Sequence, residues 1–255
     1  MLGAVDALRV ERDGGLLRVT LARPQRMNAF DAALIGELAA AFAEVGDAQA
    51  VLLSGDGPSF CAGADVEWQR ASIELSYEEN VEDALRLYRM LEAIDRCPAP
   101  VVVRVQGYAL GGGSGLVACA DIAVAAADAI FGFSEVKLGI VPAVISPFVL
   151  PRIGSGAARR LFLTGERFDA ETALRVGLVH EVVAADVLDE AVARVVDELE
   201  TSGRQAAREA KRLIREGPRD EETAQVAARL RAGEEGQEGL RAFLERRRPT
   251  WTTDE

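Results

Sequence analysis

The sequence predicts an α/β protein: a core in which strands and helices alternate, followed by a helical C-terminal segment. Three observations carry this. Short apolar runs, "AVLLSG" and "VVVRVQG", have the length and composition of buried strands. Longer stretches between them repeat their apolar residues at helical spacing. After Glu135 the pattern turns mostly helical. The 255 residues, 49% of them apolar, allow one large domain or a core with a small appendage.

From the N-terminus, "ALRVERDGGLLRVTLARP" reads as two strands joined at Gly14-Gly15, a hairpin signal. "DAALIGELAAAFAEV" is a helix with Asp31 as N-cap, a short carboxylate that can accept from the first turn's free amides. "AVLLSG" follows as a strand, and residues 55–65 as a glycine-rich loop. In "EENVEDALRLYRMLEAIDR" Val81, Leu85, Tyr88, Leu91 and Ile94 recur at helical spacing and are expected in the core. Pro98 and Pro100 stop that helix before "VVVRVQG", because the residue before a proline is pushed out of the helical region. A further helix starts within the glycines of "GYALGGGSGL"; "DIAVAAA" and "AIFGF" read as strands. Beyond them "GSGAARRLFLTG", "DAETALRVG" with its Asp N-cap and glycine stop, "DVLDEAVARVVDELE", "GRQAAREAKRLIREG" and residues 221–255 read as helices. No fixed-period repeat is visible.

Net charge is −12, from 41 acidic and 29 basic residues. That disfavours nucleic acid as the main partner, since a phosphate backbone requires a basic face. A small phosphorylated ligand needs only a few local arginines and stays open. No apolar run reaches the roughly 18 residues of a membrane span. The charged N-terminus "MLGAVDALRVERDGG" lacks the apolar block of an export signal. Cys61, Cys97 and Cys119 are odd in number and widely spaced, which fits buried thiols in a reducing cytoplasm rather than disulfides or a zinc site. The acids are scattered and His180 is the one histidine, so no metal is expected. In "GLVHEVV" His180 reads as an ordinary residue at a strand start, and no GxSxG elbow is present for it to serve.

Glycine concentrates in "GYALGGGSGL", between a strand and a helix, where something must come close to the backbone. A dinucleotide GxGxxG fails because position 116 is leucine, and a P-loop fails for want of a placed lysine. Two readings remain. One is tight strand-to-helix packing. The other is a set of backbone N–H groups at a helix N-terminus aimed at a carbonyl oxygen. A second small-residue loop, "GPSFCAGADV", favours the latter: two loops can each give one donor to a single oxygen, and a thioester enolate needs two.

The pieces "RPQRMNAF", "SFCAGADV", "VQGYALGGGSGLVACADIAVAAADAIFGFSEVKLGIVP", "LTGERFDAETALRVGLV" and "EGLRAFLERRRPTW" together resemble the crotonase superfamily of enoyl-CoA hydratases and isomerases, in family order and over nearly the full length. The resemblance implies a crotonase (ClpP-like) fold of repeated ββα units, assigned to residues 1–195, and a helical segment, 196–255, that builds homotrimers or homohexamers. It implies an acyl-CoA thioester substrate, with coenzyme A as part of the substrate and no separate cofactor. The family's oxyanion donors fall on the amides of Ala64 and Gly112.

Hydratases of this family use two glutamates. The second falls on Glu135; the first falls on Gly115, a position vacant of its acid. Hydration divides between a base for water and an acid for Cα, whereas moving a double bond between C3 and C2 needs one group that takes a proton and returns it elsewhere. Family isomerases with only the second glutamate make Glu135 alone compatible with catalysis. The segment "SEVKLGIVPAVISPFVLPRIG" resembles a subgroup that includes methylglutaconyl-CoA hydratases. The resemblance therefore implies a lyase that hydrates or dehydrates a 2-enoyl-CoA, with branched, glutaconyl-type acyl groups among the options. The alternatives are a Δ3-Δ2 enoyl-CoA isomerase and a non-catalytic acyl-CoA-binding relative. It places the CoA moiety along Arg23, Arg26, Ala62, Asp65 and Val66, and Arg247, between Arg246 and Arg248, near a C-terminal end that reaches a CoA site. Those tail arginines read equally well as a solvated cluster. Asp65 and Asp121 are expected to fix loop or helix ends, and Ser114 to pack. If the space at Gly115 is open, Gly115→Glu should raise hydration of a simple 2-enoyl-CoA.

Overall fold

Continuous apolar runs in the central strands give one sheet two buried faces. The structure, a computed structural model, describes residues 7–217 and 219–252; the N-terminal residues 1–6, part of the stretch read for an export signal, and 253–255 of the helical segment lie outside the described residues. The hairpin at Gly14-Gly15 is present: β1 (Leu8–Asp13) and β2 (Leu16–Leu21) pair antiparallel, with Gly14 at φ +56°, a left-handed turn that suits glycine. Then come α1 (Ala32–Ala43), β3 (Ala50–Gly55), α2 (Val66–Ser72), α3 (Tyr77–Asp95), β4 (Val101–Val105), β5 (Tyr108–Leu110), α4 (Gly112–Cys119), β6 (Ile122–Ala126) and β7 (Ile130–Gly132). A single-turn helix at Glu135–Leu138 leads to α5 (Ser146–Thr164), β8 (Arg167–Asp169), α6 (Ala170–Arg175), β9 (Glu181–Val183), α7 (Leu188–Glu200), α8 (Arg204–Glu216), α9 (Asp220–Ala232) and α10 (Glu234–Glu245). The Asp31 carboxylate accepts from the Leu34 N–H at 2.9 Å and the Asp169 carboxylate from the Thr172 N–H at 2.8 Å, as their N-cap positions predict.

The main sheet runs β1-β2-β3-β4-β6-β9, parallel from β2 onward; β5-β7-β8 form a second, small sheet. Leu17, Val19, Val51, Leu53, Val101 and Val103 point to the side of α1, α3 and α4. The alternate residues Leu16, Leu52, Val102 and Val124 meet Leu188, Val192 and Val196 of α7. A parallel sheet covered on both faces requires such continuous apolar runs.

The sequence reading is corrected at two points. Leu91 and Ile94 are buried, but Val81 and Leu85 are 42% and 39% exposed, because the first half of α3 extends beyond the core. Strands β5 and β8, three residues each, escaped the sequence reading. The expected division at 195/196 falls inside α7, which packs on the sheet along its length; the chain turns away only after Glu200. The helices beyond are tied down by polar contacts. Lys211 Nζ, on α8, reaches Asp121 at 2.6 Å and the Ala99 carbonyl at 3.0 Å, and Arg215 pairs with Asp95. Asp121 also accepts from the Val101 N–H at 2.7 Å, the end-fixing role expected of it. His180 aligns β9 beside β6: its N–H donates to Ala123 O at 2.8 Å and its Nδ1 accepts from Ala123 N–H at 3.0 Å. The three cysteines are free and buried.

Candidate active site

The two glycine-bearing loops meet backbone to backbone. Cys61 N–H donates to Tyr108 O at 2.9 Å and Leu110 N–H to Cys61 O at 3.0 Å, so the first loop runs as a short strand beside β5. On its other edge, Phe30 N–H donates to Gly63 O at 2.7 Å and Asp65 N–H to Phe30 O at 2.8 Å. Ala64 lies between those two bonds, and strand alternation turns its own N–H the other way. Gly112 opens α4, where first-turn amides have no helical acceptor. Neither the Ala64 nor the Gly112 N–H finds a hydrogen-bond acceptor among the described residues.

Glycine is required for this approach. A Cβ on Gly113 would stand 2.2 Å from Cys61 O, and one on Gly63, at φ +91°, 2.7 Å from Leu110 O. The packing and the donor readings of the glycine cluster thus describe one geometry: close packing of the loops leaves two amides over. Ser114 packs, as expected, with its Oγ donating to Ala109 O at 2.6 Å. Phe30 is an unforeseen part of the site: a Cβ on Gly112 would fall 2.6 Å from its ring. Burial pushes the Cys61 thiol up to about 12, so it is no nucleophile at neutral pH.

Glu135 stands at the edge of this pair. Its Oε1 would be 3.3 Å from a Cβ on Gly111, the residue before the Gly112 donor. Its Oε2 is buried and has no hydrogen-bond partner. Burial raises its pKa above the ordinary glutamate value, against a smaller opposing pull from its own backbone amide. Such a carboxylate is a stronger base than a solvated one. A general base works deprotonated, so kcat/KM should fall as pH drops through this raised pKa. The acid limb of the pH–rate profile is expected above 4.5, the ordinary glutamate value; a limb at or below that value would contradict it.

Gly115 is not an open vacancy. A Cβ there would meet Ile145 Cγ2 at 2.7 Å and Ile145 Cβ at 3.2 Å, with Leu91 Cδ2 at 3.7 Å. The expected gain from Gly115→Glu is therefore withdrawn: the space is filled by neighbours, and a carboxylate forced among them would be buried without a partner.

The arginines serve the loops first. Arg23 reaches Asp31 at 2.8 Å and Ala29 O at 2.8 Å, and Arg26 reaches Asp65 at 3.1 Å. Asp65 is 4% exposed and caps α2 through the Glu67 N–H at 2.9 Å, the fixing role expected of it. Burial alone would raise its pKa; the Glu67 amide, Arg26 and Arg23 outweigh that and hold its carboxyl below the ordinary range. Ala62 is held by its N–H on Met27 O at 3.0 Å; Val66 and Arg26 are left exposed at the rim of the donor loop. Arg247 faces its own chain, bonded to Glu238 at 2.6 and 2.9 Å and to Glu245 at 2.7 Å, so it clamps the C-terminal tail. A cleft of about 500 Å³ lies apart from all of this, between β1–β4 and α7, and its Arg9 and Arg104 are paired with Asp56 and Asp189.

The family model for enoyl-CoA hydratase/isomerase matches residues 11–254. The chain belongs to this family. It is similar to a crotonyl-CoA hydratase of Syntrophomonas wolfei, 32% identical over 96% of this chain and 97% of that one, and to a probable enoyl-CoA hydratase of Rhodobacter capsulatus, 37% identical over the same shares. Among solved structures it is similar to an enoyl-CoA hydratase from Shewanella pealeana (TM-score 0.90, 40% identity, 96% of each chain). It is also similar to Pseudomonas aeruginosa AtuE (TM-score 0.93, 39% identity, 97% of this chain and 100% of that one). The fold is the crotonase fold, and the protein is an enzyme of the enoyl-CoA hydratase/isomerase family, whose substrates are acyl-CoA thioesters. No helix among the described residues is long and apolar enough to cross a membrane.

Proposed function

We propose that this enzyme hydrates 2-enoyl-CoA thioesters, and dehydrates the products, with Glu135 as its one proton-carrying carboxylate. The supporting observation is the unpartnered Oε2 of Glu135, whose carboxylate borders Gly111 next to the unpaired Gly112 amide. The thioester oxygen accepts from the Ala64 and Gly112 N–H groups. Glu135 takes a proton from water as the water oxygen bonds to C3. The C2=C3 electron pair moves onto the thioester oxygen as an enolate, and the same proton then goes from Glu135 to C2. Arg26, half-exposed at the loop rim while it pairs with Asp65, can turn part of its guanidinium toward a CoA phosphate. Coenzyme A enters with the substrate, and the reaction draws on no further cofactor.

A second reading is favoured by the apolar contact of Ile145 and Leu91 with Gly115, which offers nothing to hold a water. Glu135 would then take a proton from C2 of a 3-enoyl-CoA and return it to C4. A panel of 2-enoyl-, 3-enoyl- and methylglutaconyl-CoA thioesters, with hydrated products identified by mass and isomers of equal mass separated by chromatography, distinguishes the two. Gain of water on a 2-enoyl-CoA is expected; turnover of the 3-enoyl-CoA alone, without mass change, supports the shift. No turnover and no solvent-deuterium exchange at C2 would leave a binding protein.

The exposed side chains Leu240 (45%), Phe243 (78%) and Leu244 (77%) form an apolar edge on α10 that water does not favour. We propose that a trimer, or a pair of trimers, covers it. Light scattering should return three or six times the 27.3 kDa chain mass, and a clean monomer at micromolar concentration would contradict this.

A further inference from the structure

The Glu135 carboxylate receives no hydrogen bond from any other described residue. Without such a bond, packing of its backbone has to aim it. Glu135 opens a single-turn helix, and α5 packs against that turn. The corner between α5 and β8 grips the chain on both sides of it. Two residues before Glu135, Phe133 is wholly buried, its ring centre 4.9 Å from that of Phe162 on α5 and 5.7 Å from that of Phe168 on β8. Just after Glu135, Val136 and Lys137 lie over Gly165, the residue that ends α5. A Cβ on Gly165 would stand 2.9 Å from Val136 Cγ2 and 3.2 Å from Lys137 Cγ. Gly165 is at φ +60°, a left-handed helix end, with its N–H on Leu161 O at 3.1 Å. Gly217 ends α8 in the same way, at φ +57°, yet nothing lies within 4 Å of its Cβ position. The helix end accounts for the backbone conformation at both glycines; the close approach belongs to Gly165 and to the turn that carries Glu135.

We propose that Gly165 is a positioning residue for proton transfer: its missing side chain lets the turn that begins at Glu135 seat on the end of α5, which holds the carboxylate beside Gly111. This rests on the reading of Glu135 as the proton carrier. The geometry gives the reason. A Cβ at 165 would press on Val136, whose branched side chain is stiff and has little room to turn. The exposed Lys137 stem can move aside. Phe133 stays locked in its aromatic cluster, so the strain falls on Ser134 and Glu135 between the two grips. A shift of about 1 Å in a reacting group can cost about 10²-fold in rate. Binding of the thioester to the donor amides does not depend on that shift.

Kinetics of the full-length enzyme on an enoyl-CoA it accepts test this. Gly165→Ala should lower kcat by about 10–100-fold while KM stays within about twofold of the parent. It should also move the acid limb of the pH–rate profile down toward 4.5, as a carboxylate levered from its buried place regains water. Gly217→Ala puts the same strain at an open helix end; it should lower Tm and leave kcat, KM and the acid limb at parental values. In a Val136→Ala background, which removes the obstructing methyl groups, Gly165→Ala should cost no more than about threefold in kcat, because residues sharing one space are not additive. Phe162→Leu leaves the helix end as it is and removes the ring that Phe133 meets; a severalfold loss of kcat at constant KM is expected, and it carries the test if Gly165→Ala does not fold. Parental kcat in Gly165→Ala, a loss undiminished by Val136→Ala, or, where Gly165→Ala does not fold, parental kcat in Phe162→Leu overturns the positioning role alone. Parental kcat in Glu135→Gln overturns the reading of Glu135, and this inference with it.

Discussion

Glu135→Gln is expected to fold, bind acyl-CoA and lose turnover by about 10²–10⁴-fold, the usual contribution of a positioned proton-transfer group. Glutamine keeps the shape and one oxygen beside Gly111 but cannot carry a proton between carbon and water. The same change should raise stability at neutral pH. The folded pKa of Glu135 is raised above its unfolded value by burial. The native state therefore holds the proton to higher pH than the unfolded chain does. Stability falls as pH rises through the unfolded pKa and on to the folded one. Above that window the buried charge is a standing cost, which glutamine removes. Thermal unfolding at pH 5 and pH 8 should show the variant gaining more at pH 8. Undiminished turnover on a thioester the parent accepts would end the assignment of Glu135.

Gly113→Ala is expected to lower both stability and activity, against the trend for a helical glycine. In an open helix alanine would gain about 0.8–1.0 kcal/mol over glycine. Here the new Cβ would press on Cys61 O at 2.2 Å and Cys61 C at 3.0 Å, backbone atoms that cannot rotate away. Overpacking of this kind costs about 1–3 kcal/mol, occasionally more. The chain relieves it by moving the Cys61–Ala64 loop off α4, which parts the two donor amides. Losing one such donor costs about 10²–10³ in rate. Gly156→Ala in α5 is the control, since nothing lies within 4 Å of its Cβ position. It should be neutral or stabilising with activity retained. Equal Tm and kcat for Gly113→Ala and the parent would show that the loops do not need their close approach.

Much of the site was legible because its chemistry uses backbone and local pattern. Glycine clusters announce a close approach wherever they occur, and two such loops after two strands imply two donors for one oxygen. The N-caps at Asp31, Asp65 and Asp169 each bond an amide two or three residues on, within reach of any local reading. Glu135 was identified by its family motif; what the structure adds is the reason it can act as a base, an oxygen buried without a partner. Arg23 and Arg247 show the limit. Their motif suggested phosphate, while the structure turns both to carboxylates of their own chain, at Asp31 and Glu238.

By itself the sequence determined most of the core's strands and helices, the apolar residues along them, and that two glycine-bearing loops follow two of the strands. These follow from periods of two and 3.6 residues and from glycine's freedom, all of which act over a few neighbours. Only the tertiary structure decided what covers each face. The apolar stripe of α3 includes Val81 and Leu85 as regularly as Leu91 and Ile94, yet only the latter pair meets the core. The three-residue strands β5 and β8 exist because β7 lies between them to bond both. Ile145 reaches Gly115 across 30 residues of sequence because α4 and α5 pack together, and no local period records which distant side chain will fill a glycine's missing volume.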